Sequence, residues 1–274
     1  MKSSRPVILV HGWNSHPGIW NRLTVRLADS GIPYRSFDYT GMAGEPLPSI
    51  AAALGEYLDG IQKEVCLDTG IDVVCHSVGT CIARYLLEVL DGEDRRFTVR
   101  QLIGLGPPNR GSALAELFSH PQYGPGIIDR LTGTFVPEGF DPVMDPVVQD
   151  VRPGSAVMRS LQKAGTRPDI RYRIIVTANP DGIPSFFPLH SGKTYEMSGD
   201  GGVRMTWEGD GIVAHRDSAL HGISLDILPA GNGGARNHPP PDQFCHISLP
   251  RNQVVIERIL AYLVERNSGN EKDI

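Results

Sequence analysis

The chain has 274 residues, enough for one large catalytic domain or two modest ones. Hydrophobic residues make up 40% of it and charged residues 21%, which are the proportions of a globular protein and exclude disordered and fibrous classes. The formal net charge is −5 and the Lys and Arg residues are scattered, so nucleic acid, which requires a basic face, is not an expected partner.

The start of the sequence, MKSSRPVILVHG, lacks the roughly 7–15-residue apolar segment of a signal peptide. No stretch approaches the roughly 18 apolar residues that cross a bilayer, so we expect no integral membrane segment. The four cysteines are Cys66, Cys75, Cys81 and Cys245. They lie in apolar runs without metal-type spacing, which favours buried free thiols over a disulfide. We therefore expect a cytoplasmic protein, or one from which a leader has been removed.

The first half of the chain alternates between strand-like and helix-like segments. Residues 6–10 are a short continuous apolar run, as expected of a buried strand, and residues 34–39, 71–75 and 99–105 are strand-like as well. Apolar residues at helical spacing predict helices at residues 18–29, 48–65 and 78–90. Such alternation is typical of βαβ units, so we predict an α/β fold with a mostly parallel central sheet and helices on both faces.

Residues 112–150 interrupt this alternation. The segment begins as a short helix and then becomes rich in Pro, Gly and aromatic residues. An excursion this long inside a compact domain is usually functional, so we predict a lid or cap over a site, with a surface-packed loop as the alternative. No repeat, low-complexity tract or boundary divides the chain, and we expect residues 1–274 to form a single domain.

The sheet pattern resumes after this segment. Residues 171–177 and 223–228 are strand-like, and residues 194–207 alternate around GDGG as a hairpin would. An amphipathic helix is predicted at residues 252–266.

Residues 73–80, VVCHSVGT, join a predicted strand to a predicted helix. A serine hydroxyl is a poor nucleophile unless a base removes its proton, and a sharp strand-to-helix turn between small residues presents such a serine. We therefore predict Ser77 as a nucleophile. Cys75 stands where the first glycine of G-x-S-x-G is usual, yet it is small enough for the turn to survive. His76 neighbours Ser77 in this strained turn and is expected to point elsewhere rather than act as the base.

The segment VHGW, residues 10–13, follows the first predicted strand directly. A glycine there allows the backbone to turn, so the next N–H group can face the site. We predict the backbone N–H groups of Trp13 and Val78 as the two donors of an oxyanion hole. His11 is expected to pack beneath this loop, and a plain strand-ending turn is the alternative.

The base is expected downstream of Ser77, after its orienting acid. His246 is favoured because it lies between the late strand pattern and the final helix, where a loop can place an imidazole beside the turn at Ser77. His238, among prolines, is the nearest rival. His215 and His221 follow too closely on the favoured acid.

Asp210 is the predicted acid, because it follows a strand-like segment, is flanked by glycines and precedes two apolar residues in WEGDGIV. Asp181 in NPDG also follows a predicted strand and remains a competitor. Asp200 and Asp217 lie in a turn and in a polar stretch, so solvated roles are expected for both.

Several motifs occur in order: VHGW, CHSVGT, LGPPNRGS at 105–112, RPGSAVMRSL at 152–161, DGIV at 210–213 and a late His246. Over roughly residues 6–265 the sequence resembles the bacterial triacylglycerol lipase and esterase branch of the α/β-hydrolases. The resemblance implies a carboxylic-ester hydrolase with the triad Ser77, Asp210 and His246 and a lid at 112–150. Some relatives bind a structural calcium, but no ligand pattern around Asp226 and Asp242 is distinctive, so neither metal nor cofactor is predicted.

The predicted function is thus that of a serine hydrolase which cleaves a small-molecule ester or lipid through an acyl-enzyme. A thioesterase or an acyltransferase would use the same triad. A non-catalytic binding protein of the same fold is the alternative from a different class.

Overall fold

A computed structural model describes residues 5–64, 70–198, 202–229 and 239–265. Its strands are β1 Val7–Val10, β2 Tyr34–Phe37, β3 Ile71–His76, β4 Val99–Leu105, β5 Arg171–Ala178, β6 Thr194–Met197, β7 Val203–Thr206 and β8 Leu225–Pro229. Its α-helices are α1 Asn21–Asp29, α2 Leu47–Glu64, α3 Val78–Arg84, α4 Ala113–Phe118, α5 Gly124–Leu131, α6 Pro146–Asp150, α7 Ala156–Ala164, α8 His215–Ser218 and α9 Gln253–Glu265.

Six strands form one sheet in the order β2-β1-β3-β4-β5-β8, and every neighbouring pair in it is parallel. Strands β6 and β7 form a separate antiparallel hairpin. The predicted α/β fold with a mostly parallel sheet is therefore confirmed. Because all six strands run the same way, the loops that follow them meet at one edge of the sheet, where α/β proteins place their sites.

Strand β1 shows why the first predicted strand is a continuous apolar run. Successive side chains of a strand point to opposite faces, and both faces of this sheet are covered. Val7 and Leu9 pack with α1 and α9 on one face, and Ile8 and Val10 pack with α2 and α3 on the other. All four side chains are fully buried.

Some element ends differ from the prediction. The helix expected at 78–90 is α-helical only to Arg84 and continues as a π-helical turn, Tyr85–Leu90, in which Asp91 N donates to Leu86 O. Strand β2 ends at Phe37 because the Asp38 carboxylate accepts bonds from the N–H and hydroxyl of Thr40, which turns the chain.

The segment 112–150 is not a plain loop, because it contains α4, α5 and α6. Ser112 caps α4 by accepting a bond from Ala115 N, and Asp145 caps α6 in the same way through Val148 N.

Cys75, Cys81 and Cys245 are buried free thiols, as predicted, whereas Cys66 lies outside the described residues. Within the described residues, no helix combines the length and the apolar character that a membrane crossing requires.

Candidate active site

Ser77 sits on the sharp turn between β3 and α3. Its backbone has φ +53° and ψ −131°, a conformation that residues other than glycine rarely adopt. The turn is anchored by a hydrogen bond of 2.9 Å from Ser77 N to Leu105 O on the neighbouring strand. The strained backbone lifts the serine side chain off the end of the sheet.

Glycine is needed two residues after the serine, because α3 lies directly against the end of β1. A β-carbon on Gly79 would lie 2.3 Å from the His11 carbonyl oxygen and 2.7 Å from that of Val10, both backbone atoms. Position 75, two residues before Ser77, is not subject to this steric limit. The side chain of Cys75 is fully buried in the core, where burial raises the pKa of the Cys75 thiol well above its ordinary value. This neutral thiol therefore occupies the position of the usual glycine without entering the site.

The structure brings Ser77, His246 and Asp210 together. His246 Nε2 lies 2.9 Å from Ser77 Oγ, and His246 Nδ1 lies 2.7 Å from Asp210 Oδ2. Asp210 is 1% exposed and His246 is fully buried. The three side chains thus form one chain of hydrogen bonds at the end of the sheet.

The partners of the imidazole determine its tautomer. A carboxylate only accepts hydrogen bonds, so the bond to Asp210 Oδ2 places a proton on His246 Nδ1. In the neutral ring Nε2 is then the acceptor, and the Ser77 hydroxyl donates to it. This is the form in which an imidazole can take a proton from a serine.

Both carboxylate oxygens of Asp210 and its backbone carbonyl oxygen take part in hydrogen bonds. Oδ1 accepts bonds of 3.0 Å from Ile212 N and 2.7 Å from Val213 N, which leaves Oδ2 to face the imidazole. His246 N also donates to Asp210 O at 2.8 Å. The acid and the histidine are therefore joined through both main chain and side chain.

Gly106, in the LGPPNRGS segment, was not predicted as a site residue. It follows β4 with φ +53°, and a β-carbon there would lie 2.4 Å from Asp210 Oδ2 and 3.1 Å from His246 Nδ1. Only glycine leaves room for the Asp–His pair at this point. A glycine directly after a buried parallel strand was the signal that could have identified it.

The acid loop, residues 209–214, carries Asp210, and it is also held by residues that the sequence did not single out. Gly211 N donates to Thr194 Oγ1 at 2.8 Å, and His190 Nδ1 lies 3.2 Å from Gly211 O. Gly211 has φ +96°, and a β-carbon on it would lie 2.5 Å from the Phe187 ring. Burial lowers the pKa of His190 to about 4, so the ring is neutral at pH 7 and donates through Nδ1.

The alternative histidines and the competing acid take other positions. His215 Nε2 lies 2.8 Å from the carbonyl oxygen of Thr177. Asp181 and His221 are exposed on the surface, and His238 lies outside the described residues.

The expectation of a solvated Asp217 is wrong. Asp217 is 7% exposed, and its Oδ2 accepts a bond of 3.0 Å from Ala113 N at the start of α4. Burial raises the pKa of Asp217 to about 6. The polar sequence around it gave no sign of this, because α4 covers it from a distant part of the chain. Asp200 lies outside the described residues.

Trp13 and Val78, whose N–H groups were predicted as oxyanion donors, both border the space beside Ser77. A β-carbon on Gly12 would lie 3.1 Å from the Ser77 β-carbon, so the peptide chain that leads to Trp13 passes directly against the serine. In the described part of the chain, neither N–H group donates a hydrogen bond to another protein group.

The VHGW loop is supported from below. The His11 ring stacks on Tyr39 with 4.0 Å between ring centroids, and Tyr39 Oη donates to Gly12 O at 2.7 Å. Burial lowers the pKa of His11, so this ring is a neutral packing element.

The Trp13 side chain contacts the 112–150 segment. Its Nε1 donates to Asp145 Oδ2 at 2.8 Å, and its ring lies 5.5 Å from Phe135 and 5.4 Å from Phe140. The edge of Phe135 also approaches the His246 ring, with 6.1 Å between centroids. One aromatic side chain of the segment, Phe135, thus lies next to both Trp13 and His246.

A narrow pocket opens beside Ser77. Most of its walls are apolar and come from the 112–150 segment and from the acid loop. Its apolar lining side chains are Trp13, Val78, Pro108, Leu114, Ala115, Phe118, Phe135, Val147, Val148, Val151, Ile212 and Val213. Such a pocket suits an uncharged, apolar group.

Asp226 is not free to bind a cation, because it forms an ion pair with Arg258 and accepts a 2.6 Å bond from Tyr262 Oη. Asp242 is exposed. The described residues contain no group of three or more His, Cys, Asp or Glu side chains arranged to hold a metal ion.

Residues 2–152 match the model of a protein family described as a domain of unknown function, DUF7379. No curated protein sequence matches the chain significantly. Many solved structures do match it by fold.

Among these structures, the mature lipase BlEst2 from Bacillus licheniformis is 18% identical with a TM-score of 0.68, covering 96% of this chain and 93% of that one. The phospholipase PlaB from Legionella pneumophila is 18% identical with a TM-score of 0.55, covering 95% of this chain and 63% of that one. The metagenomic carboxyl esterase MGS0156 is 16% identical with a TM-score of 0.57, covering 97% and 77%. At these identities the likeness concerns the fold, and it confirms the predicted α/β-hydrolase fold.

Proposed function

The chain belongs to the DUF7379 family, and we propose that it is a serine hydrolase that cleaves carboxylic esters. The observation that carries the proposal is the chain of hydrogen bonds from Ser77 through His246 to Asp210 at the wall of an apolar pocket. Nucleophile, base and orienting acid in mutual contact are the arrangement that acyl transfer to serine requires.

In the first half of the reaction, His246 Nε2 takes the Ser77 proton while Ser77 Oγ attacks the ester carbonyl carbon. The resulting tetrahedral oxyanion accepts hydrogen bonds from the N–H groups of Trp13 and Val78. Asp210 stabilises the charged imidazole and keeps its Nδ1 proton in place. When the intermediate collapses, His246 gives its Nε2 proton to the departing alkoxide, and an acyl group remains on Ser77.

In the second half, a water molecule takes the place of the alcohol. His246 Nε2 removes a proton from this water, which attacks the acyl carbonyl carbon. The second tetrahedral intermediate then collapses, Ser77 Oγ recovers the proton from His246, and the carboxylic acid leaves. The same three side chains therefore act in both halves.

The lining of the pocket favours an ester with an apolar, uncharged acyl group, because none of the lining side chains is cationic. The names of the structural neighbours, which include a lipase, a phospholipase and a carboxyl esterase, agree with an ester or lipid substrate. We assign residues 112–150 the role of a cap over this pocket within a single hydrolase domain, because α4 and α6 supply much of its wall.

Replacement of the nucleophile tests the proposal. Ser77→Ala should lower kcat for p-nitrophenyl butyrate by at least about 10³-fold, because no other group can form the acyl-enzyme. Ser30→Ala, at an exposed serine after α1, is the matched control and should retain full activity. Cooperative urea unfolding of both variants would show that they are folded. A Ser77→Ala enzyme as active as the wild type would exclude the assignment.

The substrate class needs a second measurement. Initial rates on a series of p-nitrophenyl esters, on triacylglycerols and on acyl-CoA thioesters would separate an esterase from a lipase and from a thioesterase. We expect oxygen esters with apolar acyl groups to react fastest, since most of the pocket wall is apolar. A rate that rises sharply only above the solubility limit of the ester would identify a lipase.

A further inference from the structure

His76, the residue before the nucleophile, is a second imidazole inside the site. Its Nε2 lies 3.0 Å from the backbone carbonyl oxygen of His246, and the two rings lie 4.7 Å apart with 40° between their planes. On its other side, His76 Nδ1 lies 3.1 Å from the point where a β-carbon on Gly12 would be. His76 therefore fills the space between the base and the loop that leads to Trp13.

The protonation of His76 follows from these contacts. A carbonyl oxygen only accepts, so Nε2 of His76 carries the proton and donates it to His246 O. His76 Nδ1 is buried and has no hydrogen-bond partner in the described residues. Burial, and then the positive charge that His246 can carry, hold the pKa of His76 well below its ordinary value. His76 thus stays a neutral donor at pH 7 while His246 gains and loses its proton.

We propose that His76 is a positioning residue that holds the main chain of His246, so that His246 Nε2 stays aligned with Ser77 Oγ. This inference rests on the proposed serine hydrolase mechanism. The N–H of His246 is already bound to Asp210 O, and the bond from His76 reaches the carbonyl on the other side of the same residue. With both peptide groups held, the imidazole keeps one direction relative to the serine. Misplacement of a reacting group by about 1 Å can cost 10²-fold in rate.

His76 does not line the pocket beside Ser77, so its loss should change kcat and not KM. His76→Phe keeps a ring in the same space but removes the donor, and we expect kcat for p-nitrophenyl butyrate to fall about 10- to 100-fold with KM unchanged. His76→Gln places an amide N–H near the position of Nε2, and it should recover most of that loss.

His215→Phe is the matched control, because His215 also contacts a backbone carbonyl through Nε2, but at Thr177 rather than at His246. Its kcat should stay within about twofold of the wild type. Urea unfolding of all three variants separates loss of positioning from loss of folded protein. Equal kcat for His76→Phe and wild type would overturn the inference, and so would a His76→Gln variant as slow as His76→Phe.

Two further readouts separate this inference from the proposed function. The rate at which a fluorophosphonate probe labels Ser77 depends on the base but not on any particular substrate, and it should fall in parallel with kcat in His76→Phe. Long-range ¹H–¹⁵N spectra of the wild type, assigned with the His76→Phe variant, should show a neutral His76 protonated at Nε2 between about pH 5 and 8. A His76 ring protonated at Nδ1 would overturn the inference even if no ester were hydrolysed. An inactive wild type with the expected His76 tautomer would instead count against the proposed function alone.

Discussion

The turn that carries Ser77 and the loop that carries Asp210 are held in different ways. The turn is contiguous in sequence, and besides one main-chain hydrogen bond from Ser77 N it is fixed by steric contact, with Gly79 against the backbone of β1 and Gly12 against Ser77. The acid loop is fixed by polar bonds from other parts of the chain, above all from Thr194 and His190 to Gly211. A glycine packed against backbone atoms tolerates almost no added atom. A loop held by several separate hydrogen bonds can lose one of them and keep the others.

The largest expected effect tests whether Asp210 or Asp181 is the acid that orients the imidazole. Asp210→Asn should lower kcat by about 10⁴-fold, because an amide can donate to Nδ1 and so stabilise the wrong imidazole tautomer. Asp181→Asn, at the exposed competitor, should leave kcat within about twofold. Steady-state rates on p-nitrophenyl butyrate measure both. If Asp181→Asn were the slower variant, the acid would be wrongly assigned.

A smaller but still severe effect is expected at the turn. Gly79→Ala should destabilise the protein by about 3 kcal/mol, because the new β-carbon meets backbone atoms that cannot move independently. Gly126→Ala is the matched control, since it lies in α5 with no atom within 4 Å of the added carbon. That control should gain about 0.5–1 kcal/mol from its higher helix propensity. Urea unfolding gives both values, and equal stability of the two variants would contradict the steric account of the turn.

The mildest effect should come from the loss of one hydrogen bond that holds the acid loop, the bond from Gly211 N to Thr194 Oγ1. Thr194→Val keeps the side-chain shape but leaves the Gly211 N–H without its acceptor, and it should lower kcat about 10-fold. Thr206→Val, whose hydroxyl accepts from Glu208 N outside the loop, is the control and should change kcat less than about twofold. A Thr194→Val variant that unfolds as readily as Gly79→Ala would remove the contrast between the two regions.

The fold was predictable because its central strands, such as β1 and β3, are buried on both faces. The first strand is apolar from end to end, and it is observed at Val7–Val10, within the predicted residues 6–10. The strand predicted at 99–105 has the same bounds as the observed strand, Val99–Leu105. The strand predicted at 223–228 instead begins at Leu225, because Ile223 pairs with Leu220 in a local bridge that its composition does not reveal.

For the candidate site, the sequence named the three side chains that the structure brings within hydrogen-bond distance, because each lies at the end of a recognisable element. It did not reveal Gly106, His190 or Thr194. Their roles depend on which side chain from a distant element faces them, and spacing along one segment carries no such information. His76 was expected to point elsewhere and not to act as the base. In the structure its ring donates to the main-chain carbonyl of His246.

The anchoring of Trp13 links two events that are usually considered separately. Trp13 borders the space beside Ser77, and its indole is bonded to Asp145 and contacts the rings of Phe135 and Phe140. The 112–150 segment therefore cannot swing outward without breaking the indole contacts or dragging the peptide with them. If the segment is the proposed cap and the Trp13 N–H the proposed oxyanion donor, opening the pocket would therefore also displace that donor.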